Sequence, residues 1–247
     1  MKVLLLSGTS DARRIANELV DDTRFEIIAS LAGAIRAPLK MPCETRVGGF
    51  GGQAGLAEYI LAKKIGAVVD ATHPFAARIS KNAAVTSKSL KLPHIQMLRP
   101  AWQPEVGDNW IMIENEARAA TYIPNGSTVF LATGRQTLPA FANLAACRLI
   151  CRQIDEPQQL FPFPNGEFLV GRPPFSIADE IALFEKLNID WLVVKNSGAN
   201  ASRSKLDAAR QMGMPVAMIN RPEQPECERV STVENVINWL EQVHEKS

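Results

Sequence analysis

Short, wholly apolar runs that each stop at a small polar turn recur along this chain of 247 residues. The first opens "VLLLSGTSDARRIANELV" at Val3. Four apolar residues in a row suit a strand buried on both faces, as in a parallel sheet. Ser10 and Asp11 can cap a helix, and Ala12, Ile15, Ala16, Leu19 and Val20 recur at helical spacing. Phe25–Ser30 reads as the next strand, which makes a βαβ unit. The same alternation continues with strands at Ala67–Asp70, His94–Leu98, Thr128–Ala132, Leu149–Ile154, Phe168–Gly171, Trp191–Lys195 and Pro215–Ile219. Helices are expected at Ala54–Ile65, Phe75–Leu90, Leu138–Ala146, Ile177–Leu187, Ser204–Met212 and Val233–Val243. This pattern is of the α/β class, with doubly wound parallel sheets.

Two stretches break the pattern. Residues 31–52, "LAGAIRAPLKMPCETRVGGFGG", are rich in Gly, Pro and basic residues without a period, which predicts a loop or irregular excursion. Its four glycines around Phe50 let the backbone approach a ligand closely, or serve only as a flexible turn. "RPAWQPEVGDNW" at 99–110 carries two prolines and reads as a crossover. The expected division is a nucleotide-binding domain over 1–98, a crossover over 99–125 and a second domain over 126–247.

A formal charge of +1 and 46% hydrophobic residues describe an ordinary globular protein, neither disordered nor built for nucleic acid. An acidic ligand must then be met by local basic residues. Cys43, Cys147, Cys151 and Cys227 lack metal-site spacing, and His73, His94 and His244 are scattered, so free thiols and no metal are expected. No signal peptide and no apolar run of roughly 20 residues is visible. The expectation is a soluble cytoplasmic protein with no membrane partner, a monomer or weak homodimer.

Ligands of open parallel sheets bind beyond the carboxyl ends of the strands. The segments there are "SGTSDA", "SLAG", "DATHPF", "TGRQT", "KNSGAN" and "NRP". Facing one way, they would line a cleft between two domains. In the first, Gly8 permits a tight turn, Thr9 and Ser10 offer hydroxyls, and a helix start favours an anion; a plain N-cap reads equally well. After the second strand a dinucleotide fold reads the adenosine ribose. Ser30 and Arg36 stand there without an early acid, which suits a 2′-phosphate and so NADPH, with NADH possible. Asp70 ends a buried strand, and Thr72 and His73 sit in the turn before Pro74. Lys195 ends an otherwise apolar strand, a costly place unless it meets an anion or acid. Asn196 and Ser197 add donors, Gly198 allows close approach, and Arg135 and Arg221 follow the same logic.

These segments, with "RVGGFGG", "DATHPFAARIS", "RPAW", "FLATGRQTL", "VVKNSG", "KLDAAR" and "PVAMINRP", occur together and in order. The set resembles the precorrin-6A reductase family of cobalamin biosynthesis over about residues 3–222. The resemblance implies two Rossmann-like domains with an active-site cleft between them. It also implies NADPH-dependent reduction of a macrocycle double bond, with precorrin-6A or cobalt-precorrin-6A as substrate and precorrin-6B or its cobalt equivalent as product. Under it the cofactor side comprises Gly8, Thr9, Ser10, Ser30, Leu31, Ala32, Gly33, Arg36, Gly49, Asp70, Ala71, Thr72 and His73. The substrate side comprises Arg46, Phe50, Arg135, Lys195, Asn196, Ser197, Gly198 and Arg221. Lys195 and His73 are the candidate catalytic residues. Three departures stand out: Ala34-Ile35-Arg36 follows "SLAG", Ala199 follows "KNSG", and Pro173 occupies a glycine's place. Two other readings are a Rossmann-like methyltransferase or epimerase and a non-catalytic NADPH-sensing module; binding of S-adenosylmethionine would favour the former.

Overall fold

The structure, a computed structural model, describes residues 1–33 and 40–246. The chain runs β1 (Lys2–Leu6), α1 (Ser10–Leu19), β2 (Glu26–Leu31), β3 (Glu44–Val47), α2 (Gln53–Lys63), β4 (Ala67–Asp70), α3 (Ala77–Leu90) and β5 (His94–Met97). It continues with β6 (Trp110–Ile113), a 3-10 helix (Glu116–Thr121), β7 (Thr128–Ala132), a 3-10 helix (Arg135–Leu144), β8 (Arg148–Gln153) and β9 (Gly166–Val170). Then come α4 (Ile177–Leu187), β10 (Trp191–Lys195), a 3-10 turn (Asn200–Ser202), α5 (Ser204–Gln211), β11 (Val216–Ile219), β12 (Glu228–Val230) and α6 (Val233–Glu245).

The strands form two six-stranded sheets in which every pairing is parallel. The first has the order β12-β5-β4-β1-β2-β3 and the second β6-β11-β10-β7-β8-β9. Each reverses direction of winding beside its central strand, β1 or β7, which is the doubly wound arrangement. One edge strand of the first sheet comes from a chain segment separate from the run of the other five. β6 follows β5 in sequence but pairs with β11, and β12 takes the edge beside β5.

Alternation explains why β1 is apolar throughout. Val3 and Leu5 pack with Ile15 of α1 and Trp239 and Leu240 of α6. Leu4 and Leu6 pack on the other face with Leu56 and Ile60 of α2. In the second unit Phe130, Ile150, Leu192 and Val194 pack with Phe184 of α4 and Leu206 of α5. Their neighbours Leu131, Cys151 and Val193 are buried on the opposite face.

The compact units are Met1–Pro100 together with the stretch from Pro222 onward, and Ala101–Arg221. The expected domains of 1–98 and 126–247 therefore need correction at the carboxyl end. Beyond Pro222 the chain returns to the first unit, where Val233, Val236, Trp239 and Leu240 enter its core. The expected crossover at 99–125 instead contains an edge strand and a 3-10 helix of the second unit. Other differences are local. Thr9, not Ser10 or Asp11, caps α1. Helix α3 begins at Ala77, after a turn that contains Pro74. Pro139 stands inside the segment expected as an α-helix, which is a 3-10 helix.

Candidate functional site

Because all strands of a sheet run one way, their carboxyl ends share one rim. In the first unit Leu6 pairs with Ser30 and with Asp70, and Ser30 pairs with Arg46. Residues 64 positions apart in sequence thus stand on neighbouring strands, which lie about 4.8 Å apart. Gly8 follows β1 with φ of 132°, and no atom lies within 4 Å of the position its Cβ would take. The Thr9 hydroxyl accepts from Ala12 N at 3.1 Å and donates to the Ala71 carbonyl at 2.7 Å. It fastens the β1 turn to the β4 turn and is fully engaged. Ser10 opens α1 on the same rim.

Arg46 lies against the second strand end. Its Nη1 donates to Ser30 Oγ at 2.7 Å and to the Gly48 carbonyl at 2.9 Å, and its Nη2 donates to the Gly49 carbonyl at 3.0 Å. The guanidinium also stacks over Phe50 at 3.9 Å and Tyr59 at 5.1 Å. Phe50 in turn packs edge-on against Tyr59 and joins the core beneath α2. The glycine-rich loop is therefore an ordered turn pinned by one arginine. Close approach is literal at Gly55, where a Cβ would lie 1.8 Å from the Phe50 carbonyl oxygen. Leu31 ends β2, Ala32 is exposed, and Gly33 has φ of 80°. Arg36 lies outside the described residues.

Asp70 is buried at the end of β4. Its Oδ1 accepts from Thr72 N at 3.0 Å and Thr72 Oγ1 at 2.7 Å, so it braces the "DATHPF" turn and does not cap α3. Among the described residues its Oδ2 has no hydrogen-bond partner. His94, nearby on β5, has its imidazole pushed below the usual histidine value by burial, against the opposing pull of Asp70. His73 accepts from Phe75 N through Nδ1 at 3.2 Å. A doubly protonated ring would have to give up that bond, which leaves Nε2 to carry the proton.

In the second unit Lys195 closes β10. Its Nζ donates to the Thr133 carbonyl at 3.2 Å and lies 3.6 Å from Glu116 Oε1. Burial pushes the ammonium below the usual lysine range, and Glu116 opposes that shift. Gly198 has φ of 69°, and Arg135 begins the 3-10 helix after β7. Two residues expected to meet substrate also make hydrogen bonds within the second unit. Asn196 exchanges two hydrogen bonds with the Trp102 backbone, at 2.8 and 3.0 Å, and Arg221 Nε donates to the Asn196 carbonyl at 2.8 Å. Ser197 is buried and accepts a long bond from Ala199 N at 3.4 Å.

Sequence reading missed three groups. Glu116 sits in the supposed crossover. Thr133 and Gln153 are buried at the ends of β7 and β8, and among the described residues Thr133 Oγ1 and both polar atoms of the Gln153 amide have no partner. Each buried group left so costs roughly 1–3 kcal/mol. The signal was faint, since Gln153 follows Arg152 where the apolar part of the strand, Leu149–Cys151, has already ended.

No group of three or more ligating side chains that could hold a metal ion occurs among the described residues, and no helix there is long and apolar enough to cross a membrane.

Doubly wound parallel sheets with polar carboxyl rims define an α/β protein of the Rossmann-like class. Residues 2–241 match the family described as precorrin-6x reductase CbiJ/CobK, and the chain belongs to that family. It is 44% identical over 241 residues to the precorrin-6A reductase of Rhodococcus erythropolis, with 97% of each protein covered. It is 36% identical over 240 residues to that of Rhodobacter capsulatus, covering 97% of this chain and 95% of the relative. The cobalt-precorrin-6A reductase of Priestia megaterium is 30% identical over 250 residues, covering 96% and 97%. The solved structure of CobK precorrin-6A reductase superposes with a TM-score of 0.94 at 36% identity, covering 98% of this chain and 97% of that one.

Proposed function

We propose that this protein catalyses the NADPH-dependent reduction of one double bond of precorrin-6A to give precorrin-6B, a step of cobalamin biosynthesis. The observation that carries the cofactor half is the open space at Gly8, directly before the N-terminus of α1. A helix start with no side chain in the way fits a pyrophosphate. The buried Asp70 Oδ2 is an acceptor on the same rim, fitted to a hydroxyl or amide of the cofactor. We assign Arg46 to the cofactor and not to the macrocycle. It stands beside Ser30, at the strand end where a dinucleotide fold meets the ribose, and a guanidinium there suits a 2′-phosphate.

When bound, the nicotinamide supplies the hydride, and the protein supplies position and charge. The second unit meets the acidic side chains of the macrocycle with Lys195, Arg135 and Arg221. Lys195 holds a proton at Nζ on the strand end, where it steadies negative charge in the reacting ring or delivers the proton that completes the reduction. His73 contributes Nε2 on the first unit's rim, with its other nitrogen engaged.

The metal-free substrate is the favoured one. Relatives named precorrin-6A reductase are 36–44% identical, and those named cobalt-precorrin-6A reductase are 26–30% identical. The test is an anaerobic assay that follows NADPH absorbance with metal-free and cobalt-loaded precorrin-6A. Faster oxidation with the metal-free compound is expected. No NADPH consumption with either would end the reading.

A further inference from the structure

The strand register of the second unit sets two polar groups without a role so far, Gln153 and Thr133, beside Lys195. Val193 pairs with Leu131, and Leu131 pairs with Cys151. Paired residues of parallel strands share a face, and so do residues two apart on one strand. Lys195, two past Val193, and Gln153, two past Cys151, therefore stand on the same face at the same rim. Burial pushes the Cys151 thiol up to about 12, against the opposing pull of the Lys195 charge. Thr133 lies between them, one residue past β7, and its carbonyl accepts from Lys195 Nζ.

Gln153 and Thr133 are each 8% exposed. Among the described residues neither Nε2 nor Oε1 of Gln153, nor Oγ1 of Thr133, has a hydrogen-bond partner. An amide and a hydroxyl left unpaired at the ends of neighbouring strands call for an explanation, since buried polar groups are almost always satisfied. The amide offers two hydrogens and the hydroxyl one, beside an ammonium that already bonds the Thr133 carbonyl and faces Glu116. Such a set selects an anion with several lone pairs, which describes a carboxylate.

We propose that Gln153, Thr133 and Lys195 form a carboxylate-binding recess that takes one acidic side chain of the tetrapyrrole. The inference rests on the reductase reading for the nature of the ligand. Glu116 is the counter-ion that Lys195 keeps until the substrate acid replaces it, so the recess discriminates between a carboxylate and an uncharged group at that ring position.

The test uses the whole protein with Gln153→Leu, which keeps the apolar bulk and removes the amide. The recess predicts a KM for precorrin-6A raised at least tenfold, a change larger than any fall in kcat, with the KM for NADPH unchanged. It also predicts a melting temperature equal to or above that of the unaltered protein, because an unpaired buried amide has been removed. A purely structural glutamine would instead lower the melting temperature and leave KM alone. A KM within twofold of the unaltered protein overturns the proposal. Should Gln153→Leu fail to fold, Thr133→Val is held to the same twofold and tenfold limits. If the unaltered protein oxidises no NADPH with precorrin-6A, the reductase reading fails by itself. The recess is then judged by titrating an octacarboxylate porphyrin and following its fluorescence. Weaker binding by Gln153→Leu supports it, and equal binding overturns it.

Discussion

Arg46 donates to Ser30 Oγ at 2.7 Å, across the ends of two neighbouring parallel strands. That bond puts a fixed positive charge where the first sheet would meet an adenosine ribose. Arg46→Ala should raise the KM for NADPH by about 10- to 100-fold, roughly 1.4–2.8 kcal/mol of binding, while the KM for NADH changes little. Steady-state kinetics with both cofactors decide it; an equal effect on the two would remove the 2′-phosphate assignment.

Lys195 and His73 differ in how they are held. Lys195→Ala is expected to lower turnover more than His73→Ala. If neither lowers it more than about tenfold, roughly 1.4 kcal/mol of barrier, both assignments fail. Single-turnover measurements at saturating substrate separate this from binding.

Glu116 raises the affinity of Lys195 for its proton, against the lowering by burial. Glu116→Gln removes the raising influence, so Lys195 loses its proton at lower pH. The alkaline limb of the kcat/KM profile should move to lower pH. An unmoved limb would show that Lys195 does not set it.

Gly55 should tolerate no side chain. The Cβ of Gly55→Ala would fall 1.8 Å from the Phe50 carbonyl oxygen, so the loop or the helix must shift. A loss of roughly 1–3 kcal/mol in stability is expected. Weaker NADPH binding should accompany it, because the same loop anchors Arg46. Chemical denaturation and cofactor titration read the two effects.

The second unit buries a charged cluster that gives a pH signature. Arg152 Nη2 bonds both oxygens of Glu180, at 2.9 and 2.7 Å, and both side chains are almost fully buried. Lys205 lies near them with its Nζ donating to the Ser202 carbonyl at 2.6 Å, and burial lowers it from 10.5 to about 8. Its folded value is below its unfolded one. Below about 8 the folded chain bears the cost of a buried charge, and stability from this group rises as pH climbs from about 8 to 10.5. Lys205→Met should therefore stabilise the protein at pH 7 by up to roughly 3 kcal/mol, an advantage that fades by pH 10. Urea midpoints at the two pH values check the sign.

The alternating architecture was legible because buried parallel strands are written as apolar runs. β1, β4, β7, β10 and β11 are such runs, and each was expected within a residue or two. The strands missed are edge strands. Glu44–Val47 and Glu228–Val230 are mostly exposed and carry charges, so no apolar run marks them. Trp110–Ile113 follows two prolines and a glycine, which disguised it as part of a connection. Where the last helix belongs was not readable either, because the apolar stripe of Val233, Val236 and Leu240 says that a partner exists and not which one. At the candidate site, residue types pointed to the turns at the strand ends but not to the contacts each side chain makes. Asn196 was expected as a ligand donor and bonds the Trp102 backbone, while Gln153, within the expected strand Leu149–Ile154, is left unpaired at the rim among the described residues.

The return of the last segment to the first sheet reverses the order in which the nascent chain can finish its parts. The first hundred residues are made before β12, Trp239 and Leu240, so their sheet lacks its edge strand and their core lacks two of its large side chains until the segment beyond Pro222 has been made. The inner unit, complete at Arg221, is free to settle first. A chain stopped near Pro222 would carry β5 as an open edge and a stripped apolar face, so loss of about a tenth of the length would unmake the half synthesised first.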